Sequence, residues 1–214
     1  FCKDEVAELS RLLGNLQNIM SLELIKRNQK EEKINSVIEH LSMIFSCELK
    51  SLQALKFDFF KSKIALECVD YLNKRAFLTL RCLRSFHINL WGSNVNNQSI
   101  QRLAWNIKNF FGELEEFNCN LGQTKVTEKV MIQFFHEMPK LKRFEMSVGN
   151  CAFTDYGLRI LIRNTLSSMK SLESFSFQLE GTKISSSQVL DLFKNLPGSV
   201  QKIRLDVRRT ETGN

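Results

Sequence analysis

The chain has 214 residues, of which 43% are hydrophobic and 25% are charged, a composition typical of a globular domain and not of a disordered segment. Its formal net charge of +7 permits an acidic or nucleic-acid partner but does not specify one. The longest apolar runs, such as Ala76 to Leu80, are far shorter than the roughly 18 residues that a membrane-spanning helix needs. The composition therefore argues against a transmembrane protein and against a membrane partner.

The cysteines and the low glycine and proline content suggest the setting and the domain organisation. The six cysteines show neither a Cys-x-x-Cys pair nor regular spacing, which argues against a disulfide framework or a zinc site. We therefore expect free thiols and an intracellular, cytoplasmic protein. No linker-like stretch divides the sequence, so we predict a single domain over residues 1–214. Because the chain lacks an initiator methionine and a signal-like apolar segment, we expect it to be part of a longer protein.

Residues 1–51 show two helical patterns with a short alternating stretch between them. The three apolar groups are Val6, Leu9, Leu12 and Leu13; Met20, Leu22 and Leu24; and Ile34, Val37, Ile38, Leu41 and Ile44. The second group predicts a strand, and the charged stretch from Lys26 to Lys33 predicts a loop after it. We interpret residues 1–51 as degenerate N-terminal repeats of the pattern that follows.

An internal repeat dominates residues 52–207. Five segments align without gaps over thirteen residues from Leu52, Leu83, Leu114, Leu141 and Leu172, and a truncated sixth begins at Val200. The distances between successive starts are 31, 31, 27, 31 and 28 residues. Periods of this length are typical of solenoids built from strand-and-helix units.

Each unit begins with an alternating apolar pattern, at the third, fifth and seventh residues after its start. These residues are Leu55, Phe57 and Phe59; Phe86, Ile88 and Leu90; Phe117, Cys119 and Leu121; Phe144, Met146 and Val148; Phe175, Phe177 and Leu179; and Ile203, Leu205 and Val207. A period of two predicts a strand with one buried face. A further apolar residue, placed to close the core as the chain turns away, follows at Ile64, Val95, Val126, Phe153 and Ile184.

A helix is predicted after this closing residue. Short polar residues suited to a helix N-cap come next at Asn96, Thr127, Thr154 and Ser185, and Ser185 and Gln188 have the spacing of a capping box. Apolar residues then recur at helical spacing. They are Ile100, Leu103, Ile107 and Phe111; Val130, Phe134 and Met138; Leu158, Leu161 and Leu166; and Val189, Leu192 and Leu196.

The repeated segment resembles the leucine-rich-repeat family, in particular its ribonuclease-inhibitor-like branch. The resemblance implies an α/β right-handed solenoid, or horseshoe, with parallel strands on the concave face and helices on the convex face. The stretch from Phe153 to Leu161 is also similar to the cysteine-containing repeats of F-box proteins. Two departures leave the subfamily open: the family's asparagine ladder is missing from the turn, and phenylalanine replaces most strand leucines.

The concave face is the expected binding surface of such a solenoid. Its outward strand residues are Lys56, Asp58, His87, Asn89, Asn118, Asn120, Glu145, Ser147, Ser176, Gln178, Arg204 and Asp206. Two of these are cationic and three are anionic, so the face is nearly neutral and does not indicate a groove that tracks nucleic-acid phosphates. Nucleic acid remains a partner that the charge permits.

Two aromatic residues, Phe60 and Trp91, occupy the next outward position in adjacent units. Aromatic rings beside polar amides are typical of protein interfaces. We therefore predict a partner-binding patch on the concave face that consists of Phe60, His87, Asn89, Trp91, Asn118, Asn120, Glu145 and Gln178. The alternative for Trp91 is that it folds over the strand end as part of the core.

The sequence offers no pattern of catalytic or metal-binding residues. The three histidines, His40, His87 and His136, fall in different units, without the order of a Ser-His-Asp triad or H-E-x-x-H spacing. The Gly-Gln-Thr-Lys stretch from Gly122 lacks the full phosphate-loop pattern. We therefore expect no catalytic residue, cofactor or metal ion. Basic residues on the predicted helices are interpreted as a solvated surface, and those at the C-terminal edge as a surface that meets a following repeat.

The function predicted from these patterns is non-enzymatic recognition of another protein, or scaffolding, by the concave strand face. One alternative is a structural subunit of a large assembly, possibly containing nucleic acid, attached through the basic helix side or the C-terminal edge. Another is the substrate-receptor arm of a ubiquitin ligase, which requires an F-box domain outside these residues. Fold resemblance does not decide among these functions.

Overall fold

The computed structural model describes residues 19–27, 38, 41–42, 44–45, 49, 51–78, 80–132, 138–164 and 166–210. The helix predicted from Val6 to Leu13 lies outside the described residues, as do His40, His136 and most of the loop predicted from Lys26 to Lys33. The described residues form an α/β fold around one parallel sheet.

Seven strands make up this open sheet. They are β1 (Ser21–Ile25), β2 (Ala54–Asp58), β3 (Ser85–Asn89), β4 (Glu116–Asn120), β5 (Arg143–Ser147), β6 (Ser174–Gln178) and β7 (Lys202–Asp206). Each strand pairs in parallel with the next strand in chain order. The pairing joins equivalent residues of the repeat: Phe86 lies opposite Leu55 on one side and Phe117 on the other. Side chains of the same kind therefore form continuous rows across the sheet.

Helical segments fill the connections between strands, as a parallel pairing requires. They are α1 (Ala65–Tyr71), which continues into a π-helix (Leu72–Ala76), α2 (Asn97–Phe110), α3 (Asp155–Asn164), α4 (Ser186–Lys194) and two 3-10 segments (Glu128–Ile132 and Leu166–Ser168). Their buried residues join those of the strands in one hydrophobic core. The core therefore lies between the helices and one face of the sheet; the opposite face, which carries the alternate strand residues, is called the open face.

The predicted apolar alternation is confirmed for β2 to β6. All fifteen of the residues predicted to point inward from these strands, and the five closing residues, are at most 1% exposed. The prediction is wrong for the last strand, where Ile203 is 46% exposed and Leu205 and Val207 are half-buried. The reason is that β7 has a neighbour on one edge only among the described strands.

A row of phenylalanine rings runs through the core. Phe86, Phe117, Phe144 and Phe175 occupy the same position in consecutive strands, and successive ring centroids lie 6.3, 6.1 and 5.6 Å apart. A buried aromatic ring contributes a large apolar area and gains further from contact with a second ring. The four phenylalanines at this position therefore pack from one unit into the next.

The turn after each strand has the same geometry in six units. Nine residues after the unit's start the backbone φ is positive, between 52° and 67°, at Lys61, Gly92, Gln123, Asn150, Gly181 and Arg209. The next residue donates its backbone N–H to the carbonyl three residues before it, at Ser62, Ser93, Thr124, Cys151, Thr182 and Thr210. A small hydroxyl or thiol residue thus occupies the same turn position in all six units.

The helix starts agree in part with the predicted N-caps. The Asn96 side chain accepts a hydrogen bond from the Ser99 N–H in a capping box, and the Ser185 hydroxyl accepts one from the Gln188 N–H at 3.3 Å. The α-helix predicted after Thr127 is wrong for the described residues, which form the 3-10 segment Glu128–Ile132; residues 133–137 lie outside them. This unit is four residues shorter than most others, about one helical turn.

The N-terminal strand prediction is confirmed by β1, although the strand begins at Ser21. Met20, which the alternation placed among the inward residues, is 56% exposed, whereas Leu41 and Ile44 of the helix predicted after the strand are each 5% exposed.

Candidate functional site

A groove of about 310 Å³ lies on the open face, and we call it the open-face groove. Six of the eight residues predicted for partner binding line it: His87, Asn89, Asn118, Asn120, Glu145 and Gln178. The other lining residues are Arg27, Lys56, Phe57, Asp58, Ile88 and Ser147. Side chains from six strands or their ends therefore meet in one concavity.

Two rows of the sheet supply the polar lining. The first consists of Lys56, His87, Asn118 and Glu145, and the second, two residues further along each strand, of Asp58, Asn89, Asn120, Ser147 and Gln178. Both rows lie on one face because side chains two residues apart in a strand point the same way. Neighbouring members of a row are separated by the strand spacing of about 4.8 Å.

Two of the predicted binding residues also hold the backbone turn. The Asn89 Oδ1 accepts a hydrogen bond from the Trp91 N–H at 3.2 Å, and the Asn120 Oδ1 accepts one from the Gly122 N–H at 3.1 Å. Asp58 does the same for the Phe60 N–H. Asparagine and aspartate favour such local bonds to the backbone two residues on. Asp or Asn recurs at this position in four of the six units, which is a sequence signal for this turn-holding role that the apolar alternation alone does not predict.

Asp58, predicted to point outward, is only 2% exposed. Arg27 covers it with an ion pair, and the Arg27 Nε donates to Asp58 Oδ2 at 2.7 Å. The Asn89 Nδ2 donates to the other carboxylate oxygen at 3.1 Å. Burial alone would raise the pKa of Asp58, but the bonds from Arg27 and from the Phe60 N–H outweigh it and lower the pKa of this carboxyl. Asp58 is thus a satisfied anion at the end of the groove.

Phe60 and Trp91 lie in the turns after β2 and β3 and are absent from the groove lining. Their rings stack at 4.9 Å between centroids with an interplanar angle of 10°, and the Lys61 ammonium lies 5.0 Å from the Trp91 ring centroid. The Trp91 ring also lies against Gly122, where an added Cβ would come within 2.7 Å of Trp91 Cδ1. Trp91 is half-buried and is not part of the hydrophobic core, so the alternative of a core tryptophan is wrong.

His87 occupies the middle of the first row and is half-buried. Its Nε2 lies 3.6 Å from a Glu116 carboxylate oxygen. Burial lowers the pKa of His87, and the nearby Lys56 lowers it further, while Glu145 acts in the opposite direction. The imidazole is therefore neutral at pH 7 and offers one donor and one acceptor nitrogen.

The described residues, both in the groove and outside it, contain no group of three or more histidine, cysteine or acidic side chains arranged to hold a metal ion. Burial raises the pKa of Cys68 to about 12 and raises the pKa of Cys119 and of Cys151. A protonated, buried thiol is a poor nucleophile. These three thiols therefore act as core side chains.

The helices of the described part are all too short or too polar to cross a bilayer. A scan of the sequence against protein-family models matches no family, and a search of curated proteins returns no significant match. The geometry of the open-face groove is therefore the basis for a functional proposal.

Proposed function

We propose that the chain is a leucine-rich-repeat solenoid of the ribonuclease-inhibitor-like branch, a right-handed horseshoe with the open face on its concave side. The six repeated units, their in-register parallel strands in chain order and the helical connections support this assignment. The same turn geometry recurs in all six units, so the backbone follows the same path in each unit. This recurrence supports the solenoid assignment independently.

The spacing in the core supports the direction of the curvature. Parallel strands in a sheet lie about 4.8 Å apart, whereas the row of phenylalanine rings behind them has spacings of 5.6 to 6.3 Å. The distance between neighbouring units is therefore greater in the core behind the sheet than within the sheet itself. This difference fits an arc in which the sheet lies on the inner side. The open face would then be concave.

We further propose that the open face recognises another protein without catalysis. The observation that carries this proposal is the groove itself, in which three amide side chains keep unused hydrogen-bonding atoms: Asn118 Oδ1, Asn120 Nδ2 and both polar atoms of Gln178 have no partner among the described residues. In-register strands hold these side chains in place. A partner that docks there loses little free energy to ordering of this surface.

Affinity purification of the tagged full-length protein from its own cells tests the proposal. The double variant Asn118→Ala/Gln178→Ala removes amides that hold no backbone turn, and Arg102→Ala on α2 is the matched surface control. We expect a discrete protein partner that survives high salt, is lost with the double variant and is kept with Arg102→Ala. A partner retained equally by both variants would contradict recognition by the open face.

A structural subunit of a nucleoprotein assembly is the second candidate. It is favoured by exposed cations outside the strands that have no ion pair among the described residues, such as Lys74, Arg75, Arg81, Arg102, Lys108, Lys129 and Arg159. Binding through such residues falls steeply with salt because counterions are released from the phosphates. Recovery of nucleic acid that salt removes and that Arg102→Ala weakens would favour this candidate.

A further inference from the structure

The charges that line the open-face groove are paired, with one exception. Arg27 forms an ion pair with Asp58, and Lys56 Nζ lies 2.6 Å from a Glu23 carboxylate oxygen. Glu145 has no ion pair with any cation of the described residues, although Arg143 lies on the same strand. The Arg143 guanidinium pairs with Glu116 instead. The groove therefore contains one carboxylate whose charge is not balanced by a neighbouring cation.

Further hydrogen-bond acceptors line the same end of the groove as this carboxylate. Glu145 accepts a bond from Asn118 Nδ2 at 2.9 Å, which leaves Asn118 Oδ1 beside it without a donor. Ser147, on the same strand and face, and Gln178, on the next strand, add a hydroxyl and an amide oxygen to the lining. Strands β4, β5 and β6 thus bring a carboxylate and three further oxygen atoms to one end of the groove.

A buried hydroxyl without a hydrogen-bond partner lies on the strand next to Glu145. Ser176 is the partner of Glu145 in the β5–β6 register, and it is only 9% exposed. Its hydroxyl is buried and makes no hydrogen bond within the described part of the chain. Buried polar atoms nearly always have a partner. The unsatisfied hydroxyl at the position next to Glu145 is therefore a second, independent observation of unused hydrogen-bonding capacity in this region.

We propose that the open-face groove receives an arginine side chain of the partner protein, with the guanidinium bound to the Glu145 carboxylate and to the oxygens of Asn118, Ser147 and Gln178. This inference rests on the proposed recognition function and specifies its chemistry. A guanidinium presents five N–H donors in a plane and binds a carboxylate through two parallel bonds, which matches a site made of acceptors. The cations of the groove, Arg27 and Lys56, lie at its other end and are each paired with a carboxylate.

Short peptides provide a direct test on the chain as it is. The probes are acetyl-Gly-Arg-Gly-amide, its lysine counterpart and its glutamine counterpart, added to isotope-labelled protein and followed by NMR. We expect saturable shifts of the Asn118 and Gln178 side-chain amides with the arginine peptide, weaker binding of the lysine peptide and none of the glutamine peptide. Absence of saturable shifts with the arginine peptide would overturn the inference.

Matched variants assign the binding to Glu145. The change Glu145→Gln keeps the shape of the side chain and removes its charge. We expect it to weaken binding of the arginine peptide by about tenfold or more, because a charged hydrogen-bond partner is lost. Glu173→Gln, an exposed acid before β6, is the control and should leave affinity unchanged. The change Gln178→Glu adds a carboxylate and should tighten binding, so the inference stays testable if Glu145→Gln fails to fold. Equal affinity in all three variants would overturn it.

The two proposals fail in different ways. If a cellular partner is captured through Asn118 and Gln178 but no arginine peptide binds, the recognition function stands and the arginine inference is wrong. If the arginine peptide binds at Glu145 but no partner depends on the open face, the arginine site is correct and the recognition function is wrong.

Discussion

The interior strands and the last strand share one sequence pattern but differ in burial. Phe117 and its equivalents on β2 to β6 are at most 1% exposed, whereas Ile203, at the same position of β7, is 46% exposed. Every interior strand has a neighbour on both edges, and β7 has only β6 among the strands of the described residues. The comparison teaches that the alternation specifies which residues face the core, while the stacking of a following unit decides whether those residues are buried.

The largest expected effect comes from truncating the ring row. Phe117→Ala removes a ring that packs between Phe86 and Phe144, and it should lower the free energy of unfolding by about 3–5 kcal/mol, the usual cost of such a cavity. Ile203→Ala should cost less than about 1 kcal/mol, because much of its side chain is already in water. Urea denaturation measures both. Similar costs for the two changes would contradict the comparison.

A smaller effect is expected where interior connections touch. An added Cβ at Gly157 on α3 would lie 2.6 Å from Glu128 Cβ and 2.7 Å from Phe153 Cε2. Gly157→Ala should therefore destabilise the protein by about 1–3 kcal/mol through overpacking. Gly112→Ala is the control, since nothing lies within 4 Å of its added Cβ. Thermal unfolding of the two variants would show whether close approach between neighbouring connections matters.

Asp58 and Asp206, the carboxylates at the ends of β2 and β7, should differ in how their charge makes stability depend on pH. Because the pKa of Asp58 is lowered from its ordinary value of 3.8, its charge contributes stability above that pH, and this contribution is lost as pH falls through the folded-state pKa. Asp58→Asn should cost about 1–2 kcal/mol at pH 7 and flatten the acid limb of the stability profile. Asp206→Asn on β7, whose partner Arg208 is largely exposed, should change the profile less. Identical acid limbs for the two variants would contradict this difference.

The smallest effect is expected from ion pairs between neighbouring units. Glu113, Glu115 and Glu116, at or just before the start of β4, lie opposite Lys140, Lys142 and Arg143, at or just before the start of β5. Reversing Glu113 or Lys140 alone should cost about 0.2–1 kcal/mol at low salt, and reversing both should restore much of it, because the pair is exposed. A double-mutant cycle in urea measures the coupling, and a coupling that persists in 1 M salt would rule out a screened surface pair.

The sequence predicted the fold well where a pattern is local and repeated. The period, the inward strand residues and the caps at Asn96 and Ser185 follow from side-chain alternation and backbone chemistry. The predictions were wrong where burial depends on a neighbouring unit or where a unit is shorter. Ile203 has the right pattern but no covering neighbour among the described residues, and the shortened unit has a 3-10 segment after Thr127 in its described part.

The candidate site was predicted in its location more than in its chemistry. Alternation identified the residues on the open face, so six of the eight predicted residues line the groove. The roles of Asn89 and Asn120 depend on backbone atoms two residues away, and the pairing of Lys56 with Glu23 depends on strand register. The unbalanced charge of Glu145 is visible only when all the neighbouring ion pairs are known.

The placement of the cysteines gives the protein a set of internal probes. Cys68, Cys119 and Cys151 are buried in three different units, while Cys82 is exposed. An alkylating reagent can reach a buried thiol only when the surrounding structure opens, so its labelling rate reports the free energy of local opening. With residues 2 and 47 replaced by serine, mass spectrometry of the labelled peptides would order the three units by the ease with which each opens, with Cys82 as the reference for full access.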